Sequence, residues 1–352
     1  MALQDALDRL VTGWVGRGHV HEVVLCIDLG GERWSACGGY WQGRKVTSQT
    51  PHFIASTSKL FATAMLLRLQ SEGRISLDDP VKRFFPDREL AGLHWWRGQD
   101  LTGQITLRHL LSHRSGLPDY FEGKRRDGSR FADHLFAGHD HAYGWTEVLR
   151  WTREEMRPHF PPGQGRKALY SDSNYYLLGE VIRRVQGSTL DAALTSLVTG
   201  PLGLEHTAFY HPGLPVLPLR LGARQLELPQ AMASMPADGG VVSTAQDMMD
   251  FTLALFGGYF SASATLADLQ DWRRIFFPLQ AGAGLLRFVM PRWLTLGRRY
   301  PELLGHSGIS GAFAFHCPER RWTLTGSVNQ IHGRAKPYRL MMQALDILQR
   351  SR

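Results

Sequence analysis

Cysteine is too scarce in this sequence for a disulfide framework. Only three cysteines occur in 352 residues, and their spacing matches neither a structural zinc site nor a disulfide-rich domain. We therefore interpret Cys26, Cys37 and Cys317 as buried thiols.

Long apolar runs and a secretion signal are also missing. No stretch reaches the roughly 18 apolar residues that a membrane-spanning helix needs. The first 18 residues lack the basic region and apolar core of a signal peptide. They instead have the pattern of an amphipathic helix, with apolar residues Leu3, Ala6, Leu7, Leu10, Val11 and Trp14. These absences predict a cytoplasmic protein without a membrane partner.

The net charge of +8 is not gathered into a nucleic-acid surface. Most basic residues are arginines spread along the chain, and the only short cluster is Lys124, Arg125 and Arg126. No basic helix and no aromatic-plus-basic motif accompanies that cluster. We expect no nucleic-acid partner and, at most, a modest attraction for anionic substrates.

Strand patterns lie at the two ends of the chain and helical patterns lie between them. "HEVVLCIDLGGERWSACGGYW" alternates apolar and polar residues around Gly30-Gly31, which indicates a hairpin. "GAFAFHC" and "WTLTGSVNQ" predict a second hairpin, followed by a terminal helix. Helical periodicity fills the middle, over 105–111, 146–156, 174–185, 189–198 and 245–256. This order predicts an α/β (α+β) fold, with a sheet built from both termini and an inserted helical domain.

The stretch "FIASTSKLFATAMLLRL" (53–69) contains one lysine among residues that otherwise predict a buried helix. Ser56 lies three residues before Lys59, on the same helical face and near the helix start, where backbone N–H groups lack partners. A serine hydroxyl needs a base to become a nucleophile, and burial disfavours a charged ammonium. The pattern therefore suggests a nucleophile, a base and an oxyanion donor. The alternative is that Ser56 caps the helix and Lys59 extends to water.

Two further segments complete a recognisable set of motifs. "ALYSDSNYYLLGEVI" contains Tyr170-Ser171-Asp172 before a helix, and "LLGHSGISGAFAFHC" contains His306-Ser307-Gly308 entering a strand. With Ser56-x-x-Lys59 these segments resemble, in order, the motifs of the serine β-lactamase and penicillin-binding-protein superfamily, most closely its class C-like branch. The resemblance covers roughly residues 20–349, and it includes framework segments such as "SGLPDY" and "ADGGVV".

The resemblance implies an antiparallel sheet flanked by helices, with residues 1–75 and 240–352 in the sheet domain and 76–239 in the helical domain. The active site would lie between the two. Ser56 would be the acylated nucleophile, with Lys59 and Tyr170 as its proton acceptors. Tyr170 would also protonate the leaving group. The N–H groups of Ser56 and Ile309 would form the oxyanion hole.

The resemblance also implies substrate-binding roles for the third motif. His306 would orient Tyr170 or bind a substrate carboxylate, and Gly308 would leave room for the acyl chain beside the strand that this motif enters. It implies no cofactor. Asp133, His134, His139, Asp140 and His141 lie close together in the sequence, but we interpret them as a solvated loop rather than a metal site.

Asp172 departs from the family pattern, because amide-cleaving members mostly have asparagine there. An asparagine amide donates hydrogen bonds, whereas ionised aspartate only accepts them. Close to Lys59, the carboxylate would also favour the charged amine. We therefore expect ester hydrolysis, or substrates with a donor or positive charge near the acyl group. The alternative is that Asp172 caps a helix beginning near Asn174 and faces away from the site.

Together these features predict a serine hydrolase that acts through an acyl-enzyme on small esters or amides, including D-amino-acid derivatives. An acyltransferase of the same fold would use the same residues, and a weak β-lactamase or penicillin-binding protein is a further alternative. A binding protein without turnover is disfavoured because Ser56, Lys59 and Tyr170 are all present.

Overall fold

The computed structural model describes residues 3–261, 267–295 and 297–350. Its strands are β1 Val23–Leu29, β2 Arg33–Gly38, β3 Tyr40–Trp41, β4 Arg44–Lys45, β5 His52–Phe53, β6 Trp95–Trp96, β7 Gln99–Asp100, β8 Ala208–Phe209, β9 Leu219–Leu221, β10 Arg224–Leu226, β11 Val241–Ser243, β12 Arg273–Phe276, β13 Leu279–Ala281, β14 Leu286–Phe288, β15 Leu303–Ser307, β16 Ala312–Cys317 and β17 Trp322–Ser327. Its helices are α1 Leu3–Trp14, α2 Ser58–Ser71, α3 Leu107–Leu111, α4 Phe131–Ala137, α5 Trp145–Arg150, α6 Asp172–Gln186, α7 Leu190–Leu194, α8 Gly200–Leu202, α9 Pro229–Ser234, α10 Ala245–Phe256 and α11 Lys336–Arg350.

Eight strands form one antiparallel sheet in the order β12-β13-β14-β15-β16-β17-β1-β2. The N-terminal hairpin pairs with the C-terminal one through β1 and β17, with Val24 opposite Ser327 and Leu29 opposite Trp322. The two ends of the chain therefore build one sheet, and the predicted fold class is confirmed.

Helices cover both faces of this sheet. On one face α1 and α11 bury apolar stripes that include Leu7, Val11, Leu340 and Leu345. On the other face α10 packs against β17 and β1, and the Thr325 hydroxyl donates to the carbonyl of Ala245 over 2.7 Å. An amphipathic helix needs only one apolar stripe for such packing, which is what the N-terminal pattern predicted.

Helix α2 is buried on nearly every side, because the sheet and the inserted helices both pack on it. Its apolar residues share a core with α3, α6 and α7. The strand before it, β5, pairs with β11, which places Phe53 opposite Val242. The pairing of β5 with β11 and the packing around α2 therefore fix the position at which α2 begins.

Several details differ from the sequence-based expectations. The helix predicted over 146–156 is α5 followed by a π-helical turn at Trp151–Glu155, and the helix predicted over 189–198 is similarly divided between α7 and Thr195–Thr199. Cys26 and Cys317 are buried, but Cys37 is partly exposed, so the buried-thiol prediction is wrong for that residue. The domain boundaries at residues 75 and 240 stay a prediction. Within the described ranges, none of the helices is long and apolar enough to cross a bilayer.

Candidate active site

Ser56 lies on a tight 3₁₀ turn, Ala55–Thr57, between β5 and α2. Ala55 has a φ of 45°, a left-handed conformation that non-glycine residues rarely adopt and that tends to mark functional turns. The first amide bonded in the turn is that of Thr57, which donates to the Ile54 carbonyl over 3.0 Å. The Ser56 N–H comes one residue before this bond, and no carbonyl group of the turn accepts from it, as expected at a helix start.

Lys59 is completely buried at the base of this turn. Its Nζ lies 3.1 Å from Ser56 Oγ, 2.5 Å from the carbonyl oxygen of Asp238 and 2.6 Å from Asp172 Oδ1. Three acceptors match the three N–H donors of an ammonium group, which explains how a lysine can occupy an apolar helix. The alternative that Lys59 extends to water is wrong.

Tyr170 faces Lys59 from the segment before α6. The Lys59 Nζ is 5.2 Å from the centre of the phenol ring. Burial, and then the carboxylate of Asp172, raises the pKa of Tyr170 well above its ordinary value, whereas the Ser56 hydroxyl acts in the opposite direction. The resting phenol is therefore neutral and can donate a proton.

His113 holds Tyr170 in place. The two rings stack with their centres 4.5 Å apart, and the Ser171 N–H donates to His113 Nδ1 over 3.1 Å. Burial, together with nearby Lys59, lowers the pKa of His113 well below its usual range, so the ring is neutral. Its φ of 56° also marks a tightly constrained backbone. We interpret His113 as a positioning residue.

Asp172 is the first residue of α6, and its side chain points at Lys59 rather than away from the site. The alternative of a helix cap that faces away is therefore wrong. Ser171 is the residue at the cap position, and it makes no side-chain cap hydrogen bond. The Asp172 N–H donates to Asp119 Oδ1 over 3.0 Å.

Two further buried carboxyl groups lie near the pair formed by Asp172 and Lys59. Burial raises the pKa of Asp172, and Lys59 opposes that shift. Burial and the charge of Asp172 raise the pKa of both Asp119 and Asp238. Tyr120 donates to Asp238 Oδ2 over 2.6 Å, which anchors the segment whose carbonyl accepts from Lys59. Sequence reasoning did not identify Asp119 or Asp238, although both lie in the quoted segments "SGLPDY" and "ADGGVV".

The segment after β15 packs directly against the Ala55–Thr57 turn. A Cβ on Gly308 would lie 2.2 Å from the Ile54 carbonyl oxygen, so only glycine allows this approach. Ser310 Oγ donates to the Phe53 carbonyl over 2.6 Å. Two backbone hydrogen bonds close the turn after β15, and their donors are the N–H groups of Gly308 and Gly311. The Ile309 N–H takes part in neither bond.

His306 is a buried, neutral ring at this edge of the site. Its Nδ1 is 2.8 Å from the Ser307 carbonyl, which can only accept, so the proton lies on Nδ1. Burial, and then Lys59, lowers the pKa of His306 to about 3. The ring centre is 6.2 Å from that of Tyr170. The Ser307 hydroxyl pairs with the Tyr338 hydroxyl of α11 over 2.5 Å.

A pocket of about 760 Å³ opens above these groups. The structure brings almost all of the predicted site residues to its wall, namely Ser56, Tyr170, Asp172, His306, Ser307, Gly308 and Ile309. Lys59 lies beneath them. In the parts of the chain that the structure describes, no group of three His, Cys, Asp or Glu side chains is arranged to hold a metal ion. Asp133 and His134 lie on α4, so the loop interpretation is wrong for these two residues. Asp140 accepts from the N–H groups of Gln230 and Ala231 at the start of α9.

The eight-stranded antiparallel sheet, with a Ser-x-x-Lys helix start facing a tyrosine segment and a His-Ser-Gly strand, defines the class of serine β-lactamase and penicillin-binding-protein folds. The family model described as Beta-lactamase matches residues 7–346. The chain therefore belongs to the β-lactamase family.

Known relatives agree with this membership. A putative D-alanyl-D-alanine carboxypeptidase of Escherichia coli (strain K12) is 32% identical over 171 residues, which cover 47% of this chain and 35% of that protein. A teichoic acid D-alanine hydrolase of Staphylococcus aureus is 27% identical over 175 residues, or 49% of this chain and 36% of that protein. The chain thus matches only about a third of the length of these curated relatives.

A solved structure matches over the full length. The D-amino acid amidase of Ochrobactrum anthropi SV3, complexed with L-phenylalanine, is 25% identical with a TM-score of 0.80. The superposition covers 99% of both chains.

Proposed function

We propose that this protein is a serine hydrolase that cleaves small esters or amides through a covalent acyl-enzyme. The observation that supports the proposal most directly is the buried Lys59 amine, 3.1 Å from Ser56 Oγ at the floor of an open pocket. Family membership and the amidase, carboxypeptidase and hydrolase relatives point in the same direction.

In the proposed first half-reaction, which starts from the deprotonated Lys59 amine, Ser56 Oγ attacks the substrate carbonyl carbon while its proton passes to Lys59. The carbonyl oxygen becomes an oxyanion, held by the N–H groups of Ser56 and Ile309. The neutral phenol of Tyr170 gives a proton to the leaving alcohol or amine and recovers one from Lys59. Ser56 is then acylated and the leaving group departs.

In the second half-reaction water replaces the leaving group. Tyr170 and Lys59 accept a proton from the water as it attacks the acyl carbon, and the proton returns to Ser56 Oγ. An alcohol or amine held in the 760 Å³ pocket would compete with water, which makes acyl transfer the second candidate function. Neutral His306 would act at this site as an uncharged hydrogen-bonding group rather than as a cationic carboxylate binder.

Esters should be cleaved far better than β-lactams. Asp172 supplies no amide donor to an acyl-amide carbonyl, and a phenolate leaving group needs little help from Tyr170. We expect kcat/KM for p-nitrophenyl butyrate to exceed that for nitrocefin by about a hundredfold or more. D-aminoacyl anilides and added alcohols in the same screen test the amidase and acyl-transfer branches.

The Ser56→Ala variant supplies the background rate for this screen. A nitrocefin kcat/KM equal to that of the ester would contradict the ester preference. Equal rates for the variant and the wild-type enzyme on every substrate would refute the hydrolase proposal itself.

Replacing Asp172 with asparagine should move the pH dependence of catalysis. The carboxylate stabilises the protonated Lys59 amine 2.6 Å away, and a protonated amine cannot accept the Ser56 proton. Without this charge, the acid limb of the pH–rate profile should move to lower pH. Amide cleavage should rise relative to ester cleavage, because asparagine restores a donor.

Asp133→Asn is the matched control, since Asp133 is an exposed residue of α4 that takes no part in the Lys59 cluster. Superimposable pH–rate curves for Asp172→Asn and the wild-type protein, with an unchanged ester-to-amide ratio, would show that Asp172 has no such role.

A further inference from the structure

Two cavities of very different size meet at Ser56. The first is the 760 Å³ pocket described above, which we name the large pocket. The second holds only about 50 Å³ and is named the small pocket. Ser56, Phe121, Asp172 and Ile309 border both cavities, so a carbonyl group at Ser56 would lie next to both of them.

The small pocket is an apolar recess in the inserted helical region. Its wall is formed by side chains of β10, α9 and the segments around them, including Leu226, Leu228, Met232 and Met235. An engineered apolar cavity of about 150 Å³ is enough to bind benzene. At about 50 Å³, the small pocket has room for an acyl substituent of only a few carbons.

The large pocket runs from Ser56 between the sheet edge and α11. Side chains of β12–β14 and the following turn form one wall, among them Phe276, Phe288 and Met290. Tyr338 and Met342 of α11 form the other wall. The lining is mostly apolar and aromatic, and the volume lies in the range of pockets that enclose a drug-sized ligand.

The position of Tyr170 tells the two cavities apart. Tyr170 lines the large pocket and does not line the small one. In the proposed reaction this phenol protonates the leaving group, so the leaving group must lie on its side of Ser56. The carbonyl oxygen is directed to the Ser56 and Ile309 N–H groups, and the acyl substituent is left with the small pocket. This assignment differs from the family resemblance, which placed the acyl chain beside Gly308, a residue of the large pocket.

We propose that the site selects substrates with a short acyl group and a bulky apolar alcohol or amine. This inference rests on the proposed serine hydrolase function and adds the substrate class. Apolar contacts discriminate by about tenfold or more for each methylene that a pocket accepts or rejects, so both preferences should be large enough to measure.

Two ester series test the assignment with the wild-type protein. In the first series, p-nitrophenyl propionate and p-nitrophenyl octanoate share a leaving group and differ in acyl length. We expect kcat/KM to fall by about tenfold or more from propionate to octanoate. In the second series, ethyl and hexyl acetate share an acyl group and have alcohols of similar reactivity. Here kcat/KM should rise by about tenfold or more with the longer alcohol.

Each of two variants should change either the acyl-length preference or the alcohol-length preference, but not both. Met235→Ala enlarges the small pocket, so it should raise the octanoate-to-propionate ratio by about fivefold or more and leave the alcohol preference unchanged. Met342→Glu introduces a charge into the large pocket, so it should abolish the preference for hexyl acetate and leave the acyl preference unchanged. Gln349→Glu is the matched control, because it adds the same charge to an exposed position of α11 away from the pocket.

Ser56-dependent hydrolysis with the opposite chain-length preferences would overturn the pocket assignment and leave the hydrolase proposal intact. So would a Met235→Ala effect on alcohol length in place of acyl length. Absence of any Ser56-dependent hydrolysis across both series would overturn the hydrolase proposal and this inference with it.

Discussion

Ser56→Ala should lose turnover and covalent labelling by fluorophosphonate together, while its fold survives. Without Oγ no acyl-enzyme can form, and loss of a serine nucleophile lowers kcat by a factor on the order of 10⁶ in a well-studied serine protease. The structural cost should be small, because the Ser56 hydroxyl accepts a hydrogen bond from Lys59, and a bond of this kind contributes about 1 kcal/mol. Intact-mass analysis and peptide mapping of the labelled protein measure the adduct.

Ser71→Ala on the same helix is the matched control for this experiment. Ser71 is exposed, and its hydroxyl donates to the Arg68 carbonyl within the helix, so its removal should change neither labelling nor rate. An adduct mapped to another residue, or labelling that persists in Ser56→Ala, would contradict the assignment of the nucleophile.

The motifs proposed to be catalytic could be found from sequence because each combines residue types suited to the chemistry with a recognisable local structure. Lys59 stands out since a lysine within an apolar helix needs acceptors, and Ser56 is at the spacing that places a hydroxyl among them. The terminal hairpins were predictable for a similar reason. β1 and β16 are rich in apolar residues, and each is followed after a short turn by its hairpin partner, β2 or β17.

The contacts of Asp172 could not be predicted from local pattern. An aspartate at the first turn of a helix is equally compatible with capping and with a site role. The choice depends on α2, which lies more than a hundred residues earlier in the chain. The same holds for Asp119 and Asp238, whose carboxyl groups converge on the Lys59 cluster only through the packing of the inserted helices on α2.

Strands β12–β14 were not predicted, and they form the wall of the large pocket. Each has only three or four residues, and Gly282 and Gly284 interrupt the apolar pattern between β13 and β14. Such short segments are stabilised by successive pairing, β14 with β15, β13 with β14 and β12 with β13, rather than by their own alternation. Sequence therefore predicts the chemistry at Ser56. The relative sizes of the two cavities, which are proposed to select the substrate, can be read only from the tertiary structure.

Lys59→Met and Tyr170→Phe should each slow acylation strongly, and the double variant should be no slower than the worse of the two. Both residues are proposed to carry the same proton from Ser56 Oγ to the leaving group. Once one of them is removed, the other has no proton to receive or to deliver. We expect losses of about 10³ to 10⁵ for each single variant, with strong non-additivity, as for other groups that act as one unit. Burst kinetics with p-nitrophenyl butyrate measure the acylation step directly.

Stability needs its own control, because Lys59→Met leaves Asp172 buried without its ion-pair partner. Breaking a buried pair costs about 3–5 kcal/mol when the remaining charge cannot be neutralised. Lys59→Met/Asp172→Asn removes both charges, so it should unfold at a higher temperature than Lys59→Met while it stays equally slow. Recovery of activity in this paired variant would mean that the single variant failed by unfolding. If the losses in acylation rate for Lys59→Met and Tyr170→Phe multiply in the double variant, the two side chains act in separate steps. That result would contradict a shared proton path between Ser56 and the leaving group.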